Sequence, residues 1–259
     1  MKSVSAIIPA YNEECTVGDV VKTAVDSGLL KQVICINDGS TDRTLSILRS
    51  FGRRIVLVNL PRNQGKGSAI VKGISKAKSH AILFLDSDLV GLTAEHLRQM
   101  ICCFYDNHAD GVLGNPVRVC SIKEQIINPD LKKLIGLAHD VFTGQRIYRR
   151  KDVLPLLGRL STSGNSDVAV MNHAFSGKKI LFVDLIGLNP RAKHEKTGFS
   201  LATVKGYTRE GLEISKELLG QKTNELDSTI KKRIKPVHRI RRKLNPRNVM
   251  KWVGRNLNP

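Results

Sequence analysis

AILFLDSDLV, residues 81–90, runs five apolar side chains directly into two aspartates one residue apart. A strand buried on both faces carries such a continuous run instead of an alternating one, so this stretch reads as a central strand of a parallel sheet, and the acids mark its carboxyl end. In extended geometry Asp86 and Asp88 share one side while Ser87 turns away. Two neighbouring carboxylates repel, and both stay ionised only beside a cation. Hard oxygen ligands suit magnesium or manganese, which keeps several waters and accepts phosphate oxygens in its remaining positions. By itself the tripeptide also reads as a solvated turn, or as a cap for a helix starting near Thr93.

Outward from this stretch, strand and helix patterns alternate. SVSAIIP (3–9), QVICIN (32–37) and IVLVN (55–59) read as strands; 15–28, about 42–51 and 67–78 carry helical periodicity. Strand–helix alternation with continuous apolar strands predicts an α/β fold with a mostly parallel sheet and helices on both faces. Ligands of such sheets bind beyond the carboxyl ends of the strands. The four strands end there in PAYNEE, NDGSTD, NLPRNQGKG and DSD, which puts the acidic and glycine-rich loops on one rim, whereas SGLLK and FGRR on the other rim carry less chemistry.

RNQGKG (62–67) supplies two glycines, a lysine and a following helix whose amino terminus favours anions. It lacks the spacing of a Walker loop, so ATP or GTP hydrolysis is not implied. Together with the paired acids it predicts a site for a metal-bound diphosphate. Asp38 is an acceptor for a base or ribose, and Asp42 is expected to cap the next helix.

At 259 residues and 41% hydrophobic the chain suffices for one sizeable core with an appendage. The net charge of +19 is concentrated at the end: residues 228–259 contain no Asp or Glu and many Lys and Arg. Cys15, Cys35, Cys102, Cys103 and Cys120 show no C-x-x-C spacing and read as reduced thiols, as in a cytosolic protein. No apolar run approaches the roughly 20 residues that span a bilayer, and the first residues are strand-like, so the chain is expected to be cytoplasmic or peripheral at the inner membrane face.

IIPAYNEE, INDGSTDRT, NQGKGSA and FLDSDL occur in the order of the motifs of glycosyltransferase family 2. The chain resembles that family over roughly residues 3–205, most of all its relatives of the dolichol-phosphate mannose synthase and glucosyl-3-phosphoglycerate synthase type. The resemblance implies a GT-A fold, which is Rossmann-like, together with a nucleotide-diphosphate sugar donor and a divalent metal. It places Pro9, Ala10, Tyr11 and Glu13 along the nucleotide pocket, Asp38 at the base, Asn63, Gly65 and Lys66 near the donor, and Asp86 with Asp88 as the D-x-D pair. Asn37 stands where many relatives have a second Asp, which leaves the base preference open.

GVLGNPV (111–117) reads as a further strand. FTGQRIYRRKDVLPLL (142–157) resembles the family segment S-G-x-R-x-Y-R-R with Thr143 for Ser, which puts Gly144, Gln145 and Arg146 near the reacting sugar or its phosphate-bearing partner. Arg149, Arg150 and Lys151 read either as an anion-binding acceptor site or as a solvated face. In GNSDVAVMNHAF (164–175) the resemblance sets Asp167 at the family's acidic position. If the reaction inverts the anomeric centre, Asp167 is the candidate general base; a helix cap is its competing role. His194, in NPRAKHEKTG (189–198), is the candidate third metal ligand, with a plain surface histidine as the alternative.

These motifs divide the chain into a catalytic domain, 1–205, and a basic helical tail, 206–259. In the tail, Val249, Trp252, Val253 and Leu257 would form an apolar helix face beside Arg247, Lys251 and Arg255, a pattern suited to an anionic membrane surface. Packing on the catalytic domain or a second subunit is the rival, and nucleic acid the least favoured partner because Trp252 is the lone aromatic there. The expected function is metal-dependent sugar transfer from a nucleotide sugar to an acceptor hydroxyl or phosphate. The alternatives are a sugar nucleotidyltransferase, although PAYNEE lacks the basic glycine loop of that class, and an inactive nucleotide-sugar-binding protein.

Overall fold

The computed structural model describes residues 3–117, 143–163 and 167–190. Cys120, His194 and the tail lie outside the described residues, so their expected roles stand as sequence readings.

Seven strands form the central sheet: β1 (Val4–Ala10), β2 (Gln32–Asp38), β3 (Val56–Leu60), β4 (Ala81–Phe84), β6 (Gly111–Val117), β7 (Arg146–Arg149) and β8 (Ile180–Ile186), in the order β3-β2-β1-β4-β7-β6-β8. The first four run parallel, as does β6 with β8, while β7 is antiparallel to both β4 and β6. The expected mostly parallel α/β sheet is therefore present, with one reversed strand. A two-stranded sheet pairs β5 (Leu89–Val90) with β9 (Asn189–Pro190).

Alternation along the strands sends side chains to two apolar layers. Ala6, Ile8, Cys35 and Leu83 pack on one face with α1 (Val17–Asp26), through Val20, Val21 and Ala24, and with α4 (Ala94–Asp106), through Leu97, Met100 and Phe104. Ile7, Ile34, Ile36 and Ile82 pack on the other with α3 (Lys66–Lys76), through Ile70 and Ile74, and with α7 (Asp167–Ala174), through Val170 and Met171. Each such aliphatic side chain, withdrawn from water, contributes about 1.5–3 kcal/mol. The short helices α2 (Thr44–Ser50), α5 (Arg150–Val153) and α6 (Leu157–Thr162) complete the two layers.

Chain order sets the location of the site. From β1 the chain moves outward through β2 to β3, then returns to the other side of β1 as β4. Strand order thus reverses between β1 and β4, where crevices open at the carboxyl edge of such sheets.

The D-S-D segment differs from the extended expectation. The β4 strand ends at Phe84, Leu85 N–H adds one more bond to Ile7 O at 3.1 Å, and Ser87 and Asp88 form a turn into β5. Thr16 Oγ1 donates to Ser87 O at 2.8 Å and pins that turn from α1. The following helix has its own cap: Thr93 Oγ1 accepts from His96 N and Thr93 N–H donates to His96 Nδ1, both at 3.3 Å, so the aspartates are not needed there. Asp42 does cap, accepting from Thr44 N at 2.9 Å and Glu14 N at 3.1 Å.

Candidate active site

Four loops meet at the carboxyl edge. Asn12, held at φ 55°, takes Ser40 Oγ on its N–H at 3.0 Å and accepts from Thr41 N at 2.9 Å, tying the PAYNEE loop to NDGSTD. Gly39, at φ +69°, lies against the backbone of Arg62 and Asn63 so closely that any β-carbon there would overlap it. That contact joins NDGSTD to the glycine loop, and only glycine meets both conditions. Asp38 is buried, with Oδ1 accepting from Gln64 N at 2.8 Å and Oδ2 from Gly65 N at 2.9 Å. Burial raises its pKa, against the two amides that lower it. In this arrangement Asp38 holds the loop that delivers Lys66.

Gly65, at φ +89°, turns the chain into α3, whose first residue is Lys66. Lys66 Nζ donates to Asp86 Oδ1 at 2.7 Å and stands 4.0 Å from Asp167 Oδ2. Asp86 Oδ2 accepts from Gln145 Nε2 at 2.9 Å. Arg146, 2% exposed at the start of β7, donates from Nη1 to Asn172 Oδ1 at 2.7 Å and from Nε to Thr143 O at 2.5 Å. One pocket is lined by Pro9, Lys66, Asp86, Gly144, Arg146 and Asp167 in front of an apolar wall of Ile70, Phe84 and Met171. Residues from β1, α3, β4, β7 and α7, distant from one another in the sequence, converge there.

The charges in this pocket are strongly coupled. Burial alone would push the Lys66 ammonium down, but Asp167, Asp86 and Asp88 outweigh it and hold it above the ordinary lysine range. Burial, reinforced by the negative charge of Asp86, pushes the Asp167 carboxyl up against the pull of Lys66 and Arg146. Asp167 Oδ1 is buried and has no hydrogen-bond partner among the described residues. Leaving a buried acceptor unpaired costs about 1–3 kcal/mol, a cost a ligand hydroxyl would relieve.

The sequence expectations place unevenly. Pro9, Lys66, Asp86, Gly144, Arg146 and Asp167 gather around the pocket, and Gln145 reaches it through Asp86. Tyr11 is 44% exposed on the rim, and Glu13 N–H donates to Thr44 Oγ1 at 2.8 Å. Asn63 accepts from Gly65 N at 3.0 Å within its own loop. Asn37 Nδ2 donates to Asn59 Oδ1 at 2.7 Å across β2 and β3, so the family's second Asp is replaced by a buried strand-to-strand bond. Arg149, Arg150 and Lys151 lie at the opposite edge: β7 runs backwards, pairing Arg146 with Phe84 but Arg149 with Ala81. Arg149 there binds Asp110 at 2.7 Å, so for Arg149 the acceptor-binding reading is replaced by a structural one. Thr143 was visible in the sequence only as the segment's Ser position and Asn172 carried no motif signal, because their roles in holding Gln145 and Arg146 depend on contacts across the fold. Among the described residues no three His, Cys, Asp or Glu assemble as a ready metal cage.

Fold and site together define an α/β protein with its binding crevice at the switch point of the sheet. The family model "Glycosyl transferase family 2" matches residues 5–159, and the chain belongs to that family. It is 26% identical over 152 residues to a dolichyl-phosphate beta-glucosyltransferase of Trichomonas vaginalis, covering 52% of this chain and 45% of that protein. To an undecaprenyl-phosphate 4-deoxy-4-formamido-L-arabinose transferase of Edwardsiella ictaluri it is 39% identical over 94 residues, 33% of this chain and 29% of the relative. The chain thus spans less than half the length of these curated relatives. The glucosyl-3-phosphoglycerate synthase of Mycobacterium tuberculosis, solved with Mn2+, UDP and phosphoglyceric acid, shares the fold at a TM-score of 0.65 and 19% identity, over 87% of this chain and 80% of that one. The same enzyme solved with Mg2+ and UDP gives 0.62 and 18%, over 85% and 79%.

Proposed function

We propose that this chain is a metal-dependent glycosyltransferase that moves a sugar from a nucleotide-diphosphate sugar to a hydroxyl or phosphate acceptor of the lipid-linked or phosphorylated class. The observation that carries the reading is the pocket at the β1–β4 switch point, where Lys66 and Arg146 supply positive charge beside Asp86 and Asp167. The relatives named above, which act on lipid phosphates or were solved with UDP, support it.

In this reading the rim formed by Pro9, Ala10, Tyr11, Glu13 and the Asp38-anchored loop receives the nucleotide. The donor set fits a hard cation: Asp86 and Asp88 would supply carboxylate oxygens, and His194 is the further candidate. Bound there, magnesium or manganese would neutralise the charge of the departing diphosphate. Lys66 and Arg146 add fixed positive charge in a site with little water, where charge stabilisation is strongest. Asp167, with its raised pKa and unpaired Oδ1, is placed in the role of proton acceptor for an acceptor hydroxyl. A phosphate acceptor needs no such base, and Arg146 would then serve as its anchor.

The test is a thermal-shift screen against UDP-, GDP- and dTDP-sugars with manganese or magnesium. Saturation at about a hundredfold over Kd raises stability by about 2.7 kcal/mol. One donor is expected to shift the transition, and only with metal; no shift with any of them sinks the reading.

We further propose that residues 206–259 form a separate basic tail that binds anionic membrane surfaces, on the strength of its charge and its Trp252-bearing apolar face. Among the described residues no helix is long and apolar enough to cross a membrane. The full chain should float with vesicles containing a third phosphatidylglycerol, about the anionic content at which polybasic segments bind well, and a chain ending at Lys205 should not. Equal partitioning of both refutes the tail assignment.

A further inference from the structure

Thr143 is 4% exposed and touches the pocket only through its neighbours, yet two site residues hang on it. Its hydroxyl accepts from Gln145 N–H at 3.2 Å and donates to Gln145 Oε1 at 2.5 Å. Because the Asp86 carboxylate only accepts, it takes the amide nitrogen of Gln145, and the remaining Oε1 takes the Thr143 hydroxyl proton while a lone pair of that hydroxyl takes the backbone amide. A reversed Gln145 amide would set an oxygen against the Asp86 carboxylate and lose the bond from the hydroxyl proton. The Thr143 carbonyl meanwhile accepts from Arg146 Nε, so one residue aims both the partner of Asp86 and the guanidinium across the pocket.

We propose that Thr143 is a positioning residue of the donor site: its hydroxyl locks the Gln145 amide in the one orientation that holds Asp86 Oδ2, while Lys66 holds Oδ1. The Asp86 carboxylate is thereby clamped from both sides before any donor arrives. This inference rests on the reading that Asp86 serves the donor, but the clamp itself exists in the ligand-free protein. A small hydroxyl residue is therefore required at position 143 for its proton, and serine would satisfy the requirement where valine, of nearly the same shape as threonine, would not.

The experiment compares full-length Thr143→Val, Thr143→Ser and Gln145→Ala with the unmodified chain. In ligand-free protein, the side-chain amide of Gln145, assigned by NMR from its loss in Gln145→Ala, should exchange slowly with water in the unmodified and serine forms. It should exchange about tenfold faster in the valine form, the loosening expected when one buried hydrogen bond is lost. With UDP-glucose and manganese, read as UDP release, Thr143→Val should lower kcat about tenfold and leave KM within about twofold. Thr143→Ser should restore kcat, and Thr143→Val should add nothing in a Gln145→Ala background. Unchanged amide exchange in the valine form, or losses that multiply in the double variant, would overturn the proposal. If the unmodified chain releases no UDP, the comparison is repeated with GDP- and dTDP-sugars; release of nucleoside diphosphate from none of them fails the donor reading, and the amide exchange still decides the clamp.

Discussion

Lys66→Met is expected to cut sugar transfer by about 10²–10³-fold, the range seen when one charge-stabilising donor is removed from an active site. The same change should make stability newly dependent on pH. In the unmodified chain a single ammonium lies 2.7 Å from Asp86 and 4.0 Å from Asp167. Methionine keeps the stem's volume and removes the charge, leaving two carboxylates facing each other across the pocket. Breaking a fully buried pair costs about 3–5 kcal/mol, but 31% of the Lys66 side chain still reaches solvent, which scales the loss down to about 2 kcal/mol.

The pH dependence has a definite sign. Asp167 already has a raised pKa, through burial first and the Asp86 charge second. Without Lys66 the Asp167 carboxyl moves further up. A carboxyl whose folded pKa exceeds its unfolded value binds its proton more tightly when folded, so stability falls as pH rises from the unfolded value through the folded one. The variant should therefore trail the unmodified protein most at neutral pH and least in acid, once Asp167 is protonated. Denaturant midpoints at pH 5 and pH 7.5 measure this directly. A deficit of equal size at both would mean that Lys66 contributes packing and not charge.

The half of the fold that was legible in the sequence is the half built from local signals. The runs AIIP, VICI and AILFL declare buried parallel strands because both faces of each are covered, and the glycine loops after them show which edge carries chemistry. Strand direction has no such signal: RIYR alternates in the same way whichever way it runs, so the reversal of β7 and the removal of Arg149 to the far edge became visible only through its register with β4. The D-S-D segment shows the other limit. Its acids were read as the end of an extended strand, but immediately after them Leu89 and Val90 pair with Pro190 and Asn189, and that distant partner draws the chain into a turn. The motif residues Lys66, Asp86, Arg146 and Asp167 could be named in advance. Asn172 could not, and Thr143 showed only as a motif position without its role, since a threonine or asparagine becomes a site residue only when folding brings it to a particular amide or guanidinium.

Gly144→Ala is the sharper test of how tightly that site is built. A β-carbon on Gly144 would overlap the carboxylate of Asp86, and that carboxylate is not a loose end: Lys66 holds one oxygen at 2.7 Å and Gln145 the other at 2.9 Å. To make room, Asp86 must leave at least one of these partners, or the Thr143–Arg146 backbone must move away from β4, with which Arg146 is paired at Phe84. Either response displaces the acid by about the ångström that typically costs 10²-fold in rate. A single added methyl group should therefore reduce turnover about a hundredfold and lower the melting temperature as well. Gly158 in α6 is the control, because a β-carbon there meets nothing within 4 Å. Gly158→Ala should leave turnover unchanged and stabilise the helix by about 0.4–1 kcal/mol. Should the alanine at 144 turn over at the unmodified rate, the clamp on Asp86 would have to be slack, and Asp86 could not be the fixed acid around which the donor is placed.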